Sequence, residues 1–265
     1  MSFALPLIIA IAQAATLPDI RFAEPFVFPD AAAKTYLMYG SGYNAGEGAG
    51  FVAYSSTDLI NWSDPEIILK RPDKFWATGW FRAPDLFQQG GKTYLFASLR
   101  DKQTKGIQVF VADALKGPFE PHTEGCMTPA GWDAQDASVF VDPVGQPWLV
   151  FCHDWMQVGE GEVCAGPLTP DFKGFLMEPE VLFRATDAKW SVPYSYLEKT
   201  GHVTAGPFPY RAKNGSLLML WSGYSANGLA LGYAKSESGN ILGPWKQSDR
   251  LLYRSEEHTS ELQSR

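Results

Sequence analysis

The chain has 265 residues, of which 45% are hydrophobic and 19% are charged, so it is long and apolar enough to form one or two folded domains. Its net charge of −7 argues against a nucleic-acid partner, because phosphate binding requires clustered Lys and Arg. Three cysteines, Cys126, Cys152 and Cys164, cannot all pair, and no Cys-x-x-Cys spacing indicates zinc or thiol redox chemistry. We expect Cys152, which lies in an apolar run, to be a buried free thiol.

The N-terminal segment, residues 1–15, resembles a secretory signal peptide. An apolar stretch over residues 3–12 is followed by the small-x-small pattern Ala12-Gln13-Ala14, although the usual positively charged start is missing. The stretch is too short to span a membrane. A spurious upstream start or a buried strand is the alternative. A signal peptide predicts that the protein is secreted or periplasmic.

Residues 16–253 are predicted to form one all-β domain. A unit recurs in which a turn with Gly or Asn leads into a short aromatic and aliphatic strand, a polar loop, a second strand and a Gly-Pro or Trp-Ser turn. Its equivalent positions are Tyr36, Tyr94, Trp148 and Leu218. Such a repeat of short antiparallel strands predicts the blades of a β-propeller, with a β-sandwich as the alternative.

One segment of this domain, residues 132–151, combines acids with aromatic side chains. Asp136 precedes an apolar run that turns at residues 142–145 and returns, which predicts a strand, a turn and a second strand. Trp132 lies just before Asp136, and His153 follows the second strand. An acid among aromatic side chains is suited to a polyhydroxylated ligand. The alternative is a turn aspartate that caps its own backbone.

The C-terminal segment, residues 254–265, matches nothing in the preceding pattern. It looks like the translation of a sequencing-library adapter, so we predict an artefactual tail. Four repeat units precede it. We therefore expect the last blade of the propeller to be incomplete or missing.

Five motifs, in their order along the chain, resemble those of glycoside hydrolase family 43. They are EPFVFPD at 24–30, STDLINW at 56–62, APDL at 83–86, DASVF at 136–140 and VTAGPF at 203–208. The likeness covers residues 17–253. It implies a five-bladed β-propeller and an enzyme that cleaves arabinose- or xylose-containing plant polysaccharides, such as arabinan or xylan, by inverting hydrolysis.

The resemblance also implies roles for single residues. Glu24 stands at the position of the catalytic base, where Asp is usual, and Asp136 matches the carboxylate that keeps the pKa of the acid high. Ala205 occupies the acid position, and its methyl group cannot donate a proton; His202 and Glu198, just upstream, are the alternatives. No cofactor or metal ligand is implied in this chain. A complete propeller could hold a central calcium tied to a histidine of the last blade.

The residues predicted to contact the sugar are Asp85, Phe81, Trp132, His153, Trp155 and Trp221. Asp85 matches an acid that lines the cleft, with a turn cap as the alternative. The aromatic side chains, together with Trp80, are candidates for stacking on sugar, and we expect some of them to belong to the core. The expected partner is an oligo- or polysaccharide bound by a monomer, with no nucleic acid and no membrane. The departures at Glu24 and Ala205 leave a second function open, a catalytically inactive sugar-binding propeller.

Overall fold

The computed structural model describes residues 15–20, 24–42 and 50–254. These residues form a β-propeller of four blades with almost no helix, which confirms the all-β prediction. The predicted fifth blade remains a prediction. Residues 1–14 of the predicted signal peptide and residues 255–265 of the predicted tail lie outside the described residues. Among the described helices, none has the length and apolar character needed to cross a membrane.

The first blade contains β2, β3, β4 and β6, in that order. A short strand β1 and a 3₁₀ helix over Leu17–Asp19 precede it, and β1 pairs with β5 in a separate two-stranded sheet. The strands are β1 (Ala15–Thr16), β2 (Phe26–Asp30), β3 (Thr35–Ser41), β4 (Gly50–Ser56), β5 (Asn61–Trp62) and β6 (Glu66–Lys70).

The second and third blades follow the same up-and-down order. The second blade consists of β7 (Gly79–Gln89), β8 (Lys92–Arg100), β9 (Lys105–Ala112) and β10 (Glu120–Pro121). The third blade consists of β11 (Ala134–Val141), β12 (Pro147–His153), β13 (Glu162–Pro167) and β14 (Glu180–Arg184). A single helical turn, α1 (Trp155–Val158), connects β12 to β13, and the Asp154 side chain caps it by accepting from the Met156 amide.

The fourth blade is reached through a 3₁₀ helix over Ala185–Asp187 and a small hairpin. The hairpin pairs β15 (Tyr194–Tyr196) with β16 (Lys199–Gly201). The blade itself consists of β17 (Ala205–Arg211), β18 (Leu217–Ser225), β19 (Gly228–Ser236) and β20 (Trp245–Gln247), and β21 (Tyr253–Arg254) adds a further pairing to β19.

The repeat seen in the sequence corresponds to the second strand of each blade. Tyr36 lies in β3, Tyr94 in β8, Trp148 in β12 and Leu218 in β18. Each of these strands pairs with the first and third strands of its own sheet. The blade repeat is thereby confirmed over the alternative of a β-sandwich.

The third blade shows why its apolar run is continuous rather than alternating. Leu149 and Phe151 of β12 face the core shared with the second blade, whereas Val150 and Cys152 face the core shared with the fourth blade. Successive side chains of a strand point to opposite faces, and a blade between two others buries both faces. The expectation that Cys152 is a buried free thiol is confirmed.

A β-bulge recurs in the first strand of the second, third and fourth blades. In β11, Gln135 pairs with Cys152 and Ser138 pairs with Val150, so β11 holds one residue more than β12 between the two pairs. The same shift lies between Arg82 and Asp85 in β7 and between Ala205 and Phe208 in β17.

Each of these bulges contains one residue with a positive backbone φ, and a fourth such residue stands just ahead of β2. We call them the bulge residues: Glu24 (φ 57°), Ala83 (φ 45°), Asp136 (φ 58°) and Gly206 (φ 54°). A positive φ is uncommon for residues other than glycine, so neighbouring contacts must hold three of the four in place.

Candidate active site

The bulge residues join neighbouring blades through hydrogen bonds. The Ala83 amide donates to Glu24 Oε2 at 3.1 Å, and the Gly206 amide donates to Asp136 Oδ2 at 3.0 Å. In both cases a carboxylate of one blade accepts from the bulge amide of the next blade. Between the second and third blades the acceptor is different, because Ala83 has no carboxylate. Here the Asp136 amide donates to the Ser98 hydroxyl at 2.9 Å. These bonds bring the three bulges and Glu24 to one region of the propeller.

The two predicted catalytic carboxylates interact in this region. The pKa of Asp136 is raised to about 6, chiefly because its carboxyl is buried and next because the negative charge of Glu24 is near. The Gly206 amide and the Lys105 ammonium lower the pKa of Asp136, and the Asp154 carboxylate raises it. Glu24 is itself 40% exposed and pairs with Arg82. The structure thus brings together one enclosed and one accessible carboxylate.

Ala205, at the predicted acid position, lies beside this pair. It is the first residue of β17, pairs with Ser222 of β18 and directly precedes Gly206, whose amide binds Asp136. The backbone therefore places position 205 next to Asp136. Its methyl group offers no proton to a leaving oxygen.

The two alternative acids lie upstream of Ala205. His202 Nδ1 is 3.0 Å from the Ser191 hydroxyl, and Glu198 is exposed in the turn of the hairpin formed by β15 and β16. Among the described residues, no hydrogen bond or ion pair connects either side chain to Asp136. Both remain alternatives.

A buried ion pair that sequence reasoning missed supports the same region. Lys105 Nζ lies 2.6 Å from Asp154 Oδ2, and the two side chains are 5% and 6% exposed. Lys105 also donates to the side-chain oxygen of Gln135, the residue before Asp136. The sequence feature that could have indicated this ion pair is a lysine at the start of an apolar strand, because a buried ammonium requires a partner. The sequence does not show which partner it has.

Two adjacent aromatic residues of β7 point in opposite directions. Trp80 is 39% exposed and has a φ of 59°. Phe81 is 4% exposed and packs in the core between the first and second blades, with ring centroids 5.8 Å from Phe51 and 6.2 Å from Phe75. This corrects the prediction that Phe81 contacts the sugar. The exposed aromatic side chain is its neighbour.

His153 is held inside the protein. Its Nδ1 lies 3.0 Å from Glu162 Oε2, its Nε2 lies 2.6 Å from Gln157 Oε1, and its ring stacks on Trp132 at 4.3 Å. Glu162 also pairs with Arg184 at 2.9 Å. The prediction that His153 hydrogen-bonds the sugar is corrected, because both ring nitrogens are occupied. Trp132 is partly exposed and stays a predicted sugar contact.

Three further predicted sugar contacts are buried, which corrects those predictions. Trp221 is 0% exposed in the core between the third and fourth blades, and Trp155 is 7% exposed with its ring edge-on to Tyr194. Asp85 is also 7% exposed. Burial raises the pKa of Asp85 to about 7, although the Ser138 hydroxyl acts in the opposite direction. None of the three presents a surface on which a sugar can stack or bond.

The described residues contain no group of three or more His, Cys, Asp or Glu side chains arranged to hold a metal ion. A central calcium in a complete propeller, tied to a histidine of the last blade, stays a prediction. Asp154, the further acid of this region, is bound to Lys105.

The sequence matches the model of the glycosyl hydrolases of family 43 over residues 20–264. It is 28% identical over 154 residues to a xylosidase/arabinosidase 43A from Humicola insolens, a match that covers 57% of this chain and 46% of that protein. The chain thus spans about half the length of this curated relative.

Two solved structures share both the fold and part of the sequence. An endo-arabinase from Bacteroides thetaiotaomicron is 33% identical with a TM-score of 0.86, and the match covers 92% of this chain and 86% of that one. An endo-1,4-beta-xylanase from the same organism is 26% identical with a TM-score of 0.69, covering 86% of this chain and 72% of that one. Both similarities extend over most of the chain.

Proposed function

Because the chain belongs to the glycosyl hydrolases of family 43, we propose that it cleaves arabinose- or xylose-containing plant polysaccharides by inverting hydrolysis. The observation that carries this is the interaction between Glu24, just ahead of the first strand of the first blade, and Asp136, in the bulge of the third blade. Two carboxyl groups in different environments, one enclosed with a raised pKa and one accessible, are what glycoside hydrolysis uses. The similarity to a xylosidase/arabinosidase and to an endo-arabinase supports a pentose polymer as substrate.

In the proposed reaction Glu24 is the general base. The Ala83 amide and Arg82 hold its two oxygens, and its exposure lets water reach it. Glu24 takes a proton from a water whose oxygen bonds to the anomeric carbon while the bond to the leaving oxygen breaks on the opposite face. The Gly206 amide holds the Asp136 carboxyl in place, and Asp136 helps to position the leaving group of the sugar. With Ala205 at the acid position, the leaving oxygen takes its proton from solvent, which slows the reaction.

The test is the release of reducing sugar from arabinan and arabinoxylan, together with the hydrolysis of aryl pentosides. We expect turnover of the aryl pentosides to exceed that of the polymers, because a good leaving group needs little help from an acid. The Glu24→Gln variant should be inactive on both. Wild-type protein that turns over neither polymers nor aryl pentosides would refute the proposal.

A second candidate function is a sugar-binding propeller without catalysis. Ala205 favours it, since a positioned acid contributes about 10²–10⁴-fold to such reactions. Calorimetry separates the two functions. Binding of arabino- or xylo-oligosaccharides without hydrolysis of any substrate would establish the binding protein, whereas activity on aryl pentosides alone would show an acid-deficient hydrolase.

We also propose that the complete propeller has five blades. Apolar side chains on the first strands of the first and fourth blades support this: Val27 is 41%, Phe208 45% and Tyr210 46% exposed. Leu86 and Ala137, on the first strands of the second and third blades, are only 5% exposed because neighbouring blades cover them. Strong binding of the dye anilinonaphthalene sulfonate, reduced in Phe208→Ser, would agree with an uncovered face. No dye binding would count against it.

Secretion and a monomeric state complete the proposal. Plant cell-wall polysaccharides are found outside the cell, where a secreted or periplasmic enzyme meets them. Fractionation of expressing cells tests the location, and size-exclusion chromatography with light scattering tests the monomer. Activity confined to the cytoplasmic fraction, or a stable dimer, would contradict these two points.

A further inference from the structure

Trp80 is surrounded by three cations, of which Arg100 has no part in the proposed hydrolysis. The Arg82 guanidinium carbon lies 4.7 Å from the centroid of the Trp80 ring, Lys105 Nζ lies 4.9 Å from it, and the Arg100 guanidinium carbon lies 5.8 Å from it. Cations at these distances are attracted to an indole ring. The chain as a whole is acidic, with a net charge of −7. This cluster is therefore a local positive region around an exposed aromatic side chain.

The three cations differ in how their charges are compensated. Arg82 pairs with Glu24, and Lys105 forms its buried pair with Asp154. Arg100, at the exposed end of β8, forms no ion pair with any carboxylate among the described residues. One guanidinium therefore remains available for a negatively charged ligand. Arg100 and Arg82 both lie against the Trp80 ring, and Arg82 pairs with Glu24. Arg100 is therefore on the same side of the protein as the candidate active site.

We propose that Trp80 and Arg100 form a subsite for an acidic sugar, a uronic acid carried by the polysaccharide. This proposal rests on the proposed function for its class of substrate and adds a specificity to it. A sugar ring packs on the exposed indole, while a guanidinium binds a carboxylate through two parallel hydrogen bonds. A neutral pentose can use the indole and leaves Arg100 unused. The subsite therefore favours acidic polymers over neutral ones.

The test compares glucuronoxylan oligosaccharides with the same material after reduction of its carboxyl groups, so that the two probes differ only in charge. Binding is measured by calorimetry for the wild-type protein, Arg100→Gln and the control Arg71→Gln. Arg71 is also exposed and lies just beyond β6, so both variants lose one positive charge. We expect the wild type and Arg71→Gln to bind the acidic probe about threefold to tenfold more tightly than the reduced probe, and Arg100→Gln to bind both alike.

Trp80→Ala supplies the second arm. It should weaken the binding of both probes, because both use the indole, whereas Arg100→Gln should weaken only the acidic one. Equal binding of the two probes by the wild type, no binding of either, or an unchanged preference in Arg100→Gln would overturn the subsite. Hydrolysis of arabinan or xylan in such a case would leave the proposed function intact. A preference for acidic probes in a protein without turnover would support the subsite and refute the hydrolase.

Discussion

Glu24 and Asp136 each have two tasks. Each is a candidate for the chemistry, and each fastens its blade to the next through a bulge amide, Ala83 for Glu24 and Gly206 for Asp136. A carboxylate that accepts a backbone N–H is held in one orientation, as chemistry at a sugar requires. Substitutions at these positions therefore have to be chosen so that the loss of charge is separated from the loss of the hydrogen bond.

Asp136→Asn makes that separation. The amide oxygen can still accept from Gly206, so we expect the unfolding free energy to change by less than about 1 kcal/mol while turnover of aryl pentosides falls about a hundredfold or more. The wild type should lose activity as the pH falls through about 6, the pKa of Asp136, and the variant should lack this transition. Kinetics as a function of pH and urea unfolding of one preparation provide both measurements.

Asp136→Ala is the matched control, because it removes the acceptor as well as the charge. It should destabilise the protein by about 1–3 kcal/mol, since the Gly206 amide loses its charged acceptor. If Asp136→Asn loses stability to the same extent and keeps its turnover, Asp136 is a cap and not part of the chemistry.

Ala205→Glu should restore an acid. The new carboxyl would follow the backbone position next to Asp136, whose negative charge raises the pKa of a neighbouring acid and keeps its proton in place near neutral pH. We expect activity on arabinan to rise by about 10²-fold or more and activity on aryl pentosides to rise less, with a bell-shaped pH profile. Ala205→Gln is the control with similar size and no exchangeable acid. Equal gains for Glu and Gln, or full polymer activity of the wild type, would show that another group is the acid.

Among the single elements, β7 shows what the sequence could and could not predict. The motif at residues 83–86 is one of the five whose resemblance implies a propeller, and these residues lie in β7, the first strand of the second blade. Which of Trp80 and Phe81 faces outward depends on two register shifts against β8, one on each side of Arg82. Register is set by pairing with another strand and by neighbouring blades, so no local pattern specifies it. The burial of His153 and Trp221 likewise depends on strand pairing and on the neighbouring blades.

The orientation of β7 gives a stability prediction. Phe81→Ala should lower the unfolding free energy by about 3–5 kcal/mol, because the ring fills the core between two blades. Trp80→Ala, the neighbouring control, should cost less than about 1 kcal/mol because its ring is at the surface. Urea unfolding of both variants is the measurement. Equal losses of unfolding free energy in the two variants would contradict the burial of Phe81 and the exposure of Trp80.

At the scale of the whole molecule, the blades are joined by apolar cores that contain a buried acid. Asp85 of the second blade lies against the Ser138 hydroxyl of the third, and burial raises its pKa to about 7. The pKa of an ordinary unfolded aspartate is about 3.9. The folded state therefore binds this proton more tightly than the unfolded state does. The stabilisation is complete below the unfolded pKa and is lost as the pH rises through the folded pKa.

We therefore expect the unfolding free energy to fall between about pH 5 and pH 7.5, with Asp85 alone contributing up to about 1.4 kcal/mol per pH unit. Asp136, whose pKa is also raised, contributes in the same direction up to about pH 6. Asp58, whose pKa is lowered by hydrogen bonds from the Asn61 backbone amide and side chain, titrates below this window. In Asp85→Asn the fall should be smaller, and in Asp136→Asn it should persist above about pH 6. A wild type that becomes more stable over this range would contradict the assignment.

The bulge bonds also determine which parts of the site can be lost at little expense to the fold. A change at Glu24 or Asp136 that removes the acceptor oxygen also removes a bond between blades. The side chain at position 205 makes no bond of this kind, because the backbone amide of its neighbour Gly206 supplies the bond to Asp136. A proton donor at 205 can therefore be exchanged for a methyl group without loosening the propeller. In a hydrolase of this architecture, loss of the donor at position 205 would slow the cleavage of polymers about 10²–10⁴-fold and leave the sugar-binding propeller intact, and the reverse substitution would restore the rate.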